Sequence, residues 1–339
     1  MSEPGDYIDT LADHADWEVF TANGTDASLD YRKPNGDLLF ALRRRAIPKE
    51  LCDLAVSSYL KAGQRVSTNR GFAAGAKHRT LTTTGYERAP KAQTGIIGYL
   101  DSPTSQKPCR LTSYSRDHFE KYTAGIPFIK ALDDAFAMAT PEAHARQKIA
   151  AAATPFRIAD TAFSTVTVNY NFRTAVHRDA GDFREGFGTL CVCSSPGMHG
   201  GLILFPDFKV AIELGNGDFL AMDVHEYHAN SPLIQDSPGD YRLSFVAYLR
   251  ERIAKCPEIN ERLGGAELTT ERMIADLFAP DPIPEARVTG KGPQGHDWWI
   301  RENERILLEY KFKRYVLKDK NDGTVYKNLG VAWEARRPI

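Results

Sequence analysis

Between residues 160 and 250 the chain breaks into short apolar runs rich in β-branched residues, each ended by glycine or proline, and this punctuation limits the available folds more than any other feature. Runs at 162–168, 188–192, 201–205 and 209–214 have the length and composition of strands, and two more lead up to His228 and through Arg242. So many short strands bury their apolar faces by stacking as two sheets. The expected architecture is therefore α+β: a double-stranded β-helix (jelly-roll, cupin-like) core with flanking helices, a mouth that can house a small ligand, and a small C-terminal appendage containing a hairpin.

The flanks read differently. Residues 1–36 are polar and acidic with little periodicity and read as an N-terminal arm, loose or with a short helix laid on the surface. The main domain is expected over 37–255. A short strand falls at 38–42, and Pro48 then opens a helix that brings Leu51, Leu54, Ala55, Ser58 and Tyr59 to one face. Between Gly63 and Pro108 lies a loop-rich stretch carrying Asn69-Arg70-Gly71 and Lys77-His78-Arg79, readable as a flap over a substrate, as a DNA contact or as a solvated basic face. Two helices, 127–139 and 141–153, are expected outside the sheet, with Thr140 capping the second and Phe136 and Met138 in the core. The extension 256–339 starts with a helical stretch at 269–278 and a Pro/Gly-rich linker, and ends in a hairpin of 309–317 and 324–326 around Asn321-Asp322-Gly323. Its alternating aromatic and basic side chains suit DNA contact, and equally an edge hairpin docked on the main domain.

The chemistry concentrates on three strand-like segments. His177 and Asp179 lie two apart after the run at 162–168, and because a strand alternates faces both can reach one cation. A Gly217-Asp218 turn starts another run that ends in two histidines, His225 and His228, either of which could supply a third ligand. Two imidazoles and one carboxylate on one side of a metal, with the other positions open, form the set used by non-haem Fe(II) oxygenases. Further on, Arg242 and Ser244 share one face of a strand. An inward-facing arginine needs an anion, and the distal carboxylate of 2-oxoglutarate fits a guanidinium with a hydroxyl beside it. An isolated His-x-Asp pair is more often a surface or satisfied core feature than a ligand set; the ordered succession carries the reading.

Composition excludes little. With 339 residues, 42% hydrophobic and 26% charged, and a net charge of -1, the chain has no global attraction to polyanions, so any affinity for nucleic acid must be local. No apolar run is long enough to span a membrane, and no membrane contact is expected. The 5 cysteines show no metal-knuckle spacing. An odd count without a signal peptide points to reduced thiols and an intracellular location, cytoplasmic or nucleoid-associated, with Cys191 and Cys193 as small buried hydrophobes.

On these residues the chain resembles the TET/J-binding-protein family of Fe(II)/2-oxoglutarate-dependent DNA 5-methylpyrimidine dioxygenases. The likeness takes in 161–169, then His177-Arg178-Asp179-Ala180-Gly181-Asp182-Phe183, Gly200-Gly201 with Phe205-Pro206, His228-Ala229-Asn230 and Arg242-Leu243-Ser244, with Cys109-Arg110-Leu111-Thr112 upstream. It extends from about 95 to about 255. The resemblance implies oxidation of a pyrimidine 5-methyl group in DNA, requiring Fe(II), 2-oxoglutarate and O2. Conversion of 5-methylcytosine to 5-hydroxymethylcytosine is the first expectation and thymine to 5-hydroxymethyluracil the alternative.

Carried over residue by residue, the resemblance makes His177, Asp179 and His228 the metal ligands and Arg242 and Ser244 the 2-oxoglutarate clamp. The family's distal histidine follows the aspartate of such a Gly-Asp turn at a spacing that selects His228 over His225. Asp182 falls on a base-contacting position where TET enzymes generally carry asparagine, which leaves the preferred base open; Asn171 and His225 are further candidate substrate contacts. The implied partner is DNA with the target base flipped out, because a methyl group inside a duplex cannot reach an ion sunk in the mouth of a double sheet. Tyr170, Phe172 and Tyr227 could stack on that base or simply pack the wall. No obligate protein partner is evident. The Cys-rich zinc-binding region of animal TET enzymes is missing, which implies a compact microbial or phage version. Two rival readings remain: hydroxylation of a small molecule or protein side chain by the same site, and a catalytically silent DNA-binding module.

Overall fold

The computed structural model describes residues 3–9, 16–21, 28–77, 90–101, 109–257, 285–292, 295, 297–304, 306–311, 314–321 and 325–327. The larger of two facing sheets has nine strands. Its order is β2 (Leu29–Arg32), β3 (Leu38–Arg43), β12 (Phe219–Met222), β8 (Gly188–Ser194), β15 (Arg242–Tyr248), β7 (Thr165–Tyr170), β5 (Ala92–Leu100) and β4 (Val66–Ser67), with β6 (Arg110–Leu111) also paired to β5. The smaller sheet runs β1 (Glu18–Phe20), β11 (Val210–Ile212), β10 (Ile203–Phe205) and β13 (Ala229–Asn230). A ribbon of β9 (Met198–Gly200) and β14 (Leu233–Gln235) stands beside them. The expected jelly-roll core is thus present as an open double sheet, not a closed barrel.

Strand alternation divides the large sheet into two faces. Outward, Val166, Val168, Cys191, Cys193, Phe219, Leu243, Phe245 and Ala247 join one core with helices α1 (Lys49–Gly63) and α4 (Ile126–Ala139). Phe245 is its centre, its ring 4.8 Å from that of Phe128 and 6.2 Å from that of Tyr59. Inward, Phe40, Leu42, Leu190, Val192, Leu220 and Met222 pack against Ile203, Phe205, Val210 and Ile212 of the small sheet. That apolar filling occupies only part of the inner face. Across β15 and β7 the inward residues are Arg242, Ser244 and Tyr248 with Thr165, Thr167 and Asn169, Val246 alone on that face of β15 joining the apolar filling.

Several expectations are corrected. The N-terminal segment is neither loose nor helical in its described parts, since β1 pairs parallel with β11 and β2 antiparallel with β3. Met138 is 81% exposed, whereas Phe136 is fully buried, because α4 turns only one stripe to the core. Thr140 makes no side-chain cap at the start of α5 (Pro141–Ala152); its hydroxyl donates back to the Phe136 carbonyl instead. The expected first hairpin strand, 309–317, divides between two paired strands of a five-stranded antiparallel sheet, β16 (Arg287–Lys291), β17 (Asp297–Glu302), β18 (Ile306–Lys311), β19 (Arg314–Asp319) and β20 (Val325–Lys327), in which β19 and β20 form the hairpin. This sheet docks on α2 (Ser113–Asp117) and α3 (Phe119–Ala124): Trp299 stacks on Phe119, Arg301 pairs with Glu120 at 3.0 Å and the Tyr310 hydroxyl donates to Asp117 at 3.0 Å. The helix expected at 269–278 and residues 78–89 of the loop-rich stretch lie outside the described residues. Nor are all cysteines reduced: Cys109 and Cys256 form a disulfide across 147 residues of sequence, a pairing that spacing cannot reveal.

Candidate metal centre and anion clamp

The segment after β7 returns beside the segment before β13, and the two meet through a reciprocal backbone bridge. The His177 N–H donates to the His228 carbonyl at 3.0 Å and the His228 N–H to the His177 carbonyl at 2.9 Å. The Asp179 N–H donates to Val224 at 3.0 Å, which fixes the carboxylate on the same side. One ligand atom each from His177, Asp179 and His228 lies within 4.8 Å of the others. Nε2 of His177 is 3.7 Å from Asp179 Oδ1, and Nε2 of His228 is 4.0 Å from Oδ2.

Both rings are held by their other nitrogen. Nδ1 of His177 lies 2.8 Å from the Ala175 carbonyl and Nδ1 of His228 lies 2.9 Å from the Glu226 carbonyl. A carbonyl only accepts, so each Nδ1 must carry the proton and each Nε2 turns a lone pair toward the centre. Burial, followed by the neighbouring His228, holds the His177 imidazole down to about 4, so it stays neutral and able to ligate. Two imidazoles and a carboxylate on one side suit a divalent transition metal with open positions.

Arg242 is buried with 6% exposure and shares the Gly201 carbonyl with Asn230, two residues past His228, and Gly201 makes the space: a Cβ there would stand 3.3 Å from the Arg242 Nε. The guanidinium donates to the Gly201 carbonyl at 3.3 Å, and no carboxylate pairs with it among the described residues. Desolvation alone lowers it to about 10. A buried cation without a counter-charge is costly, so an anionic ligand is the natural complement. Ser244 stands two residues along the same inward face.

A polar chain that sequence reasoning missed leads to this serine. Arg70 donates from Nη2 to the Thr94 hydroxyl at 2.6 Å, Thr94 donates to Asn169 Oδ1 at 2.7 Å, and Asn169 Nδ2 donates to the Ser244 hydroxyl oxygen at 3.2 Å. Because Ser244 accepts in this chain, its own proton is left for another acceptor. The Arg70 Nε is buried without a hydrogen-bond partner, and its charge feels the Asp179 carboxylate. Part of this was visible: polar Thr165, Thr167 and Asn169 alternating with Val166 and Val168 mark a strand with one functional face.

The other candidates separate. Asp182 is bridged to Arg250 through the backbone, and burial with the nearby Asp179 charge pushes its carboxyl well above the usual range. Arg250 itself pairs with Asp101 at 2.7 Å. His225 keeps a buried Nε2 without a partner, but it orients neither metal ligand, a task that falls to backbone carbonyls. Asn171 is engaged with the main chain: Oδ1 accepts from the Arg242 N–H at 2.6 Å and Nδ2 donates to the Asp240 carbonyl at 3.2 Å. Tyr170 packs against the main core, and Tyr227 carries the Arg178 guanidinium 3.9 Å over its ring. Asp218 is a structural anchor, pairing with Arg44 at 2.6 Å and accepting from the Arg45 and Gly215 N–H groups.

Residues 95–251 match the family model described as the Tet/JBP oxygenase domain of the 2OGFeDO superfamily. The chain is 33% identical over 211 residues to the bifunctional helicase and thymine dioxygenase JBP2 of Leishmania braziliensis, covering 60% of this chain and 17% of that protein. It is 30% identical over 271 residues to thymine dioxygenase JBP1 of Crithidia fasciculata, covering 77% of this chain and 31% of that protein. The matched part thus spans less than a third of either relative. Among solved structures, NgTET1 in complex with 5mC DNA is 12% identical, with a TM-score of 0.47, covering 71% of this chain and 84% of that one.

Proposed function

From the premise that this chain belongs, through residues 95–251, to the Tet/JBP oxygenases of the 2OGFeDO superfamily, we propose that it is an Fe(II)/2-oxoglutarate-dependent dioxygenase acting on the 5-methyl group of a pyrimidine in DNA. The observation that carries the reading is the convergence of His177, Asp179 and His228, together with a buried arginine that lacks a counter-charge. These three side chains would hold the iron. When bound, iron with 2-oxoglutarate and O2 supplies the oxidising chemistry, giving a hydroxymethyl product, succinate and CO2.

The rest falls to the chain's own residues. Arg242 takes the distal carboxylate of 2-oxoglutarate, and Ser244 gives it the hydroxyl proton that the Arg70–Thr94–Asn169 chain leaves available. The free Arg70 Nε offers a further donor beside the metal centre. Asp182 faces the base. A carboxyl at this position can pair with the edge of either candidate base, with the exocyclic amine of cytosine or the N3–H of thymine, and the methyl is brought to a fixed distance only once the base leaves the stack.

Two substrates fit. The sequence leans to 5-methylcytosine, while the thymine dioxygenases among the relatives favour thymine. The test is nucleoside mass spectrometry of DNA containing both bases, after incubation with the protein, Fe(II) and 2-oxoglutarate. A 5-hydroxymethyl nucleoside that disappears in His177→Ala, with DNA binding kept, is the expected result. Succinate release that ignores DNA and responds to amino acids or small molecules would overturn the substrate class. Oxidation unchanged in His177→Ala would remove the metal assignment.

A further inference from the structure

The helix-covered face of the large sheet, opposite the oxygenase centre, holds a second cluster of donor atoms. Cys191 and Cys193 lie two apart on β8 and point the same way, and Cys52 on α1 meets them, so that the three sulfurs lie within 4.8 Å of one another. All three thiols are free and buried. We propose that Cys52, Cys191 and Cys193 form a binding site for a soft, thiophilic metal ion, copper(I) being the best match. This assignment goes beyond the oxygenase reading and does not depend on it.

Geometry and surroundings select the ion. Three thiolates suit soft cations, whereas zinc takes four ligands when its site is structural, and among the described residues no histidine or carboxylate joins the sulfurs. The neighbours are apolar: Cys191 pairs across the sheet with Phe219 and Phe245, and Cys193 with Leu243. Such a lining excludes the hard, oxygen-seeking cations. Cys52 lies early in α1, where the helix dipole favours a thiolate; the Lys49 charge nearby is taken up by its pair with Asp53 at 2.6 Å. Hydrogen bonding to the Cys193 and Cys52 thiols, then burial, push Cys191 up, so the trio shares its protons until a cation displaces them. Binding exchanges thiol protons for one monovalent ion, with no change in oxidation state. The Cys109–Cys256 disulfide takes the two remaining cysteines out of competition.

The test titrates the full-length protein anaerobically with copper(I), kept reduced by ascorbate, against a chromophoric copper(I) chelator. One equivalent should resist the chelator, produce ultraviolet sulfur-to-copper charge-transfer absorption and show three sulfur neighbours by X-ray absorption. Cys52→Ala should lose that equivalent while keeping its circular dichroism. If Cys52→Ala fails to fold, copper-dependent protection of the three thiols from alkylation in the unaltered protein decides instead. His177→Ala should still bind the ion, which separates this site from the oxygenase centre. Retention by Cys52→Ala, loss in His177→Ala, or alkylation of the three thiols at an unchanged rate with copper present would overturn the proposal.

Discussion

Strand β15 does two kinds of work on its two faces, and the contrast shows how this sheet divides stability from chemistry. Leu243, Phe245 and Ala247 are fully buried among helices α1 and α4, where shape and apolar area are all that count. Arg242, Ser244 and Tyr248 are almost as deeply buried on the other face, but with polar groups that cost stability unless paired. Equal burial with opposite chemistry means that substitutions one residue apart should fail in different assays.

The largest effect belongs to the outer face. Phe245→Ala removes a ring packed against Phe128 and Tyr59, and should cost about 3–5 kcal/mol in denaturant unfolding, with 2-oxoglutarate affinity of the folded fraction kept. A large loss of cosubstrate affinity in protein that is still folded would erase the division. Next comes Arg242→Met on the inner face. It should leave stability equal or raise it by about 1–4 kcal/mol, since a desolvated charge is removed, while weakening 2-oxoglutarate by about tenfold to a hundredfold in calorimetry. A marked drop in melting temperature would show that Arg242 serves the fold. Asn169→Ala breaks the chain from Arg70 to Ser244 and should raise the KM for 2-oxoglutarate about tenfold with kcat little changed. An equal fall in kcat would place that chain in the chemical step instead. Smallest is Met138→Lys, on the exposed side of α4, which should stay within about 0.5 kcal/mol of the unaltered protein.

What the sequence disclosed follows the same division. Alternation along single strands placed Arg242 with Ser244 on one face, and the two-residue spacing of His177 and Asp179 put both at one centre, because those relations are local. Relations across the sheet were hidden. Arg70 reaches Ser244 only through side chains on β5 and β7, and nothing in its surroundings, Asn69 and Gly71, signals that route. The three-residue β1 is too short to show any period and exists because β11 offers it an edge. Met138 looked like core since apolar residues abound in α4, yet the helix buries only one stripe. Asn171 stands next to the strand end, and its bonds to the main chain at 240 and 242 join segments far apart in sequence.

The mutual hydrogen bonds between His177 and His228 have a consequence for the loading of this protein. Each histidine clasps the other's main chain, so the gap between the two rings is set by the polypeptide frame before any ion arrives. An incoming ion then finds seats already arranged and need order little beyond the Asp179 side chain. Stripping it with a chelator should accordingly leave a folded, rechargeable vessel, with emptying and refilling reversible over repeated cycles.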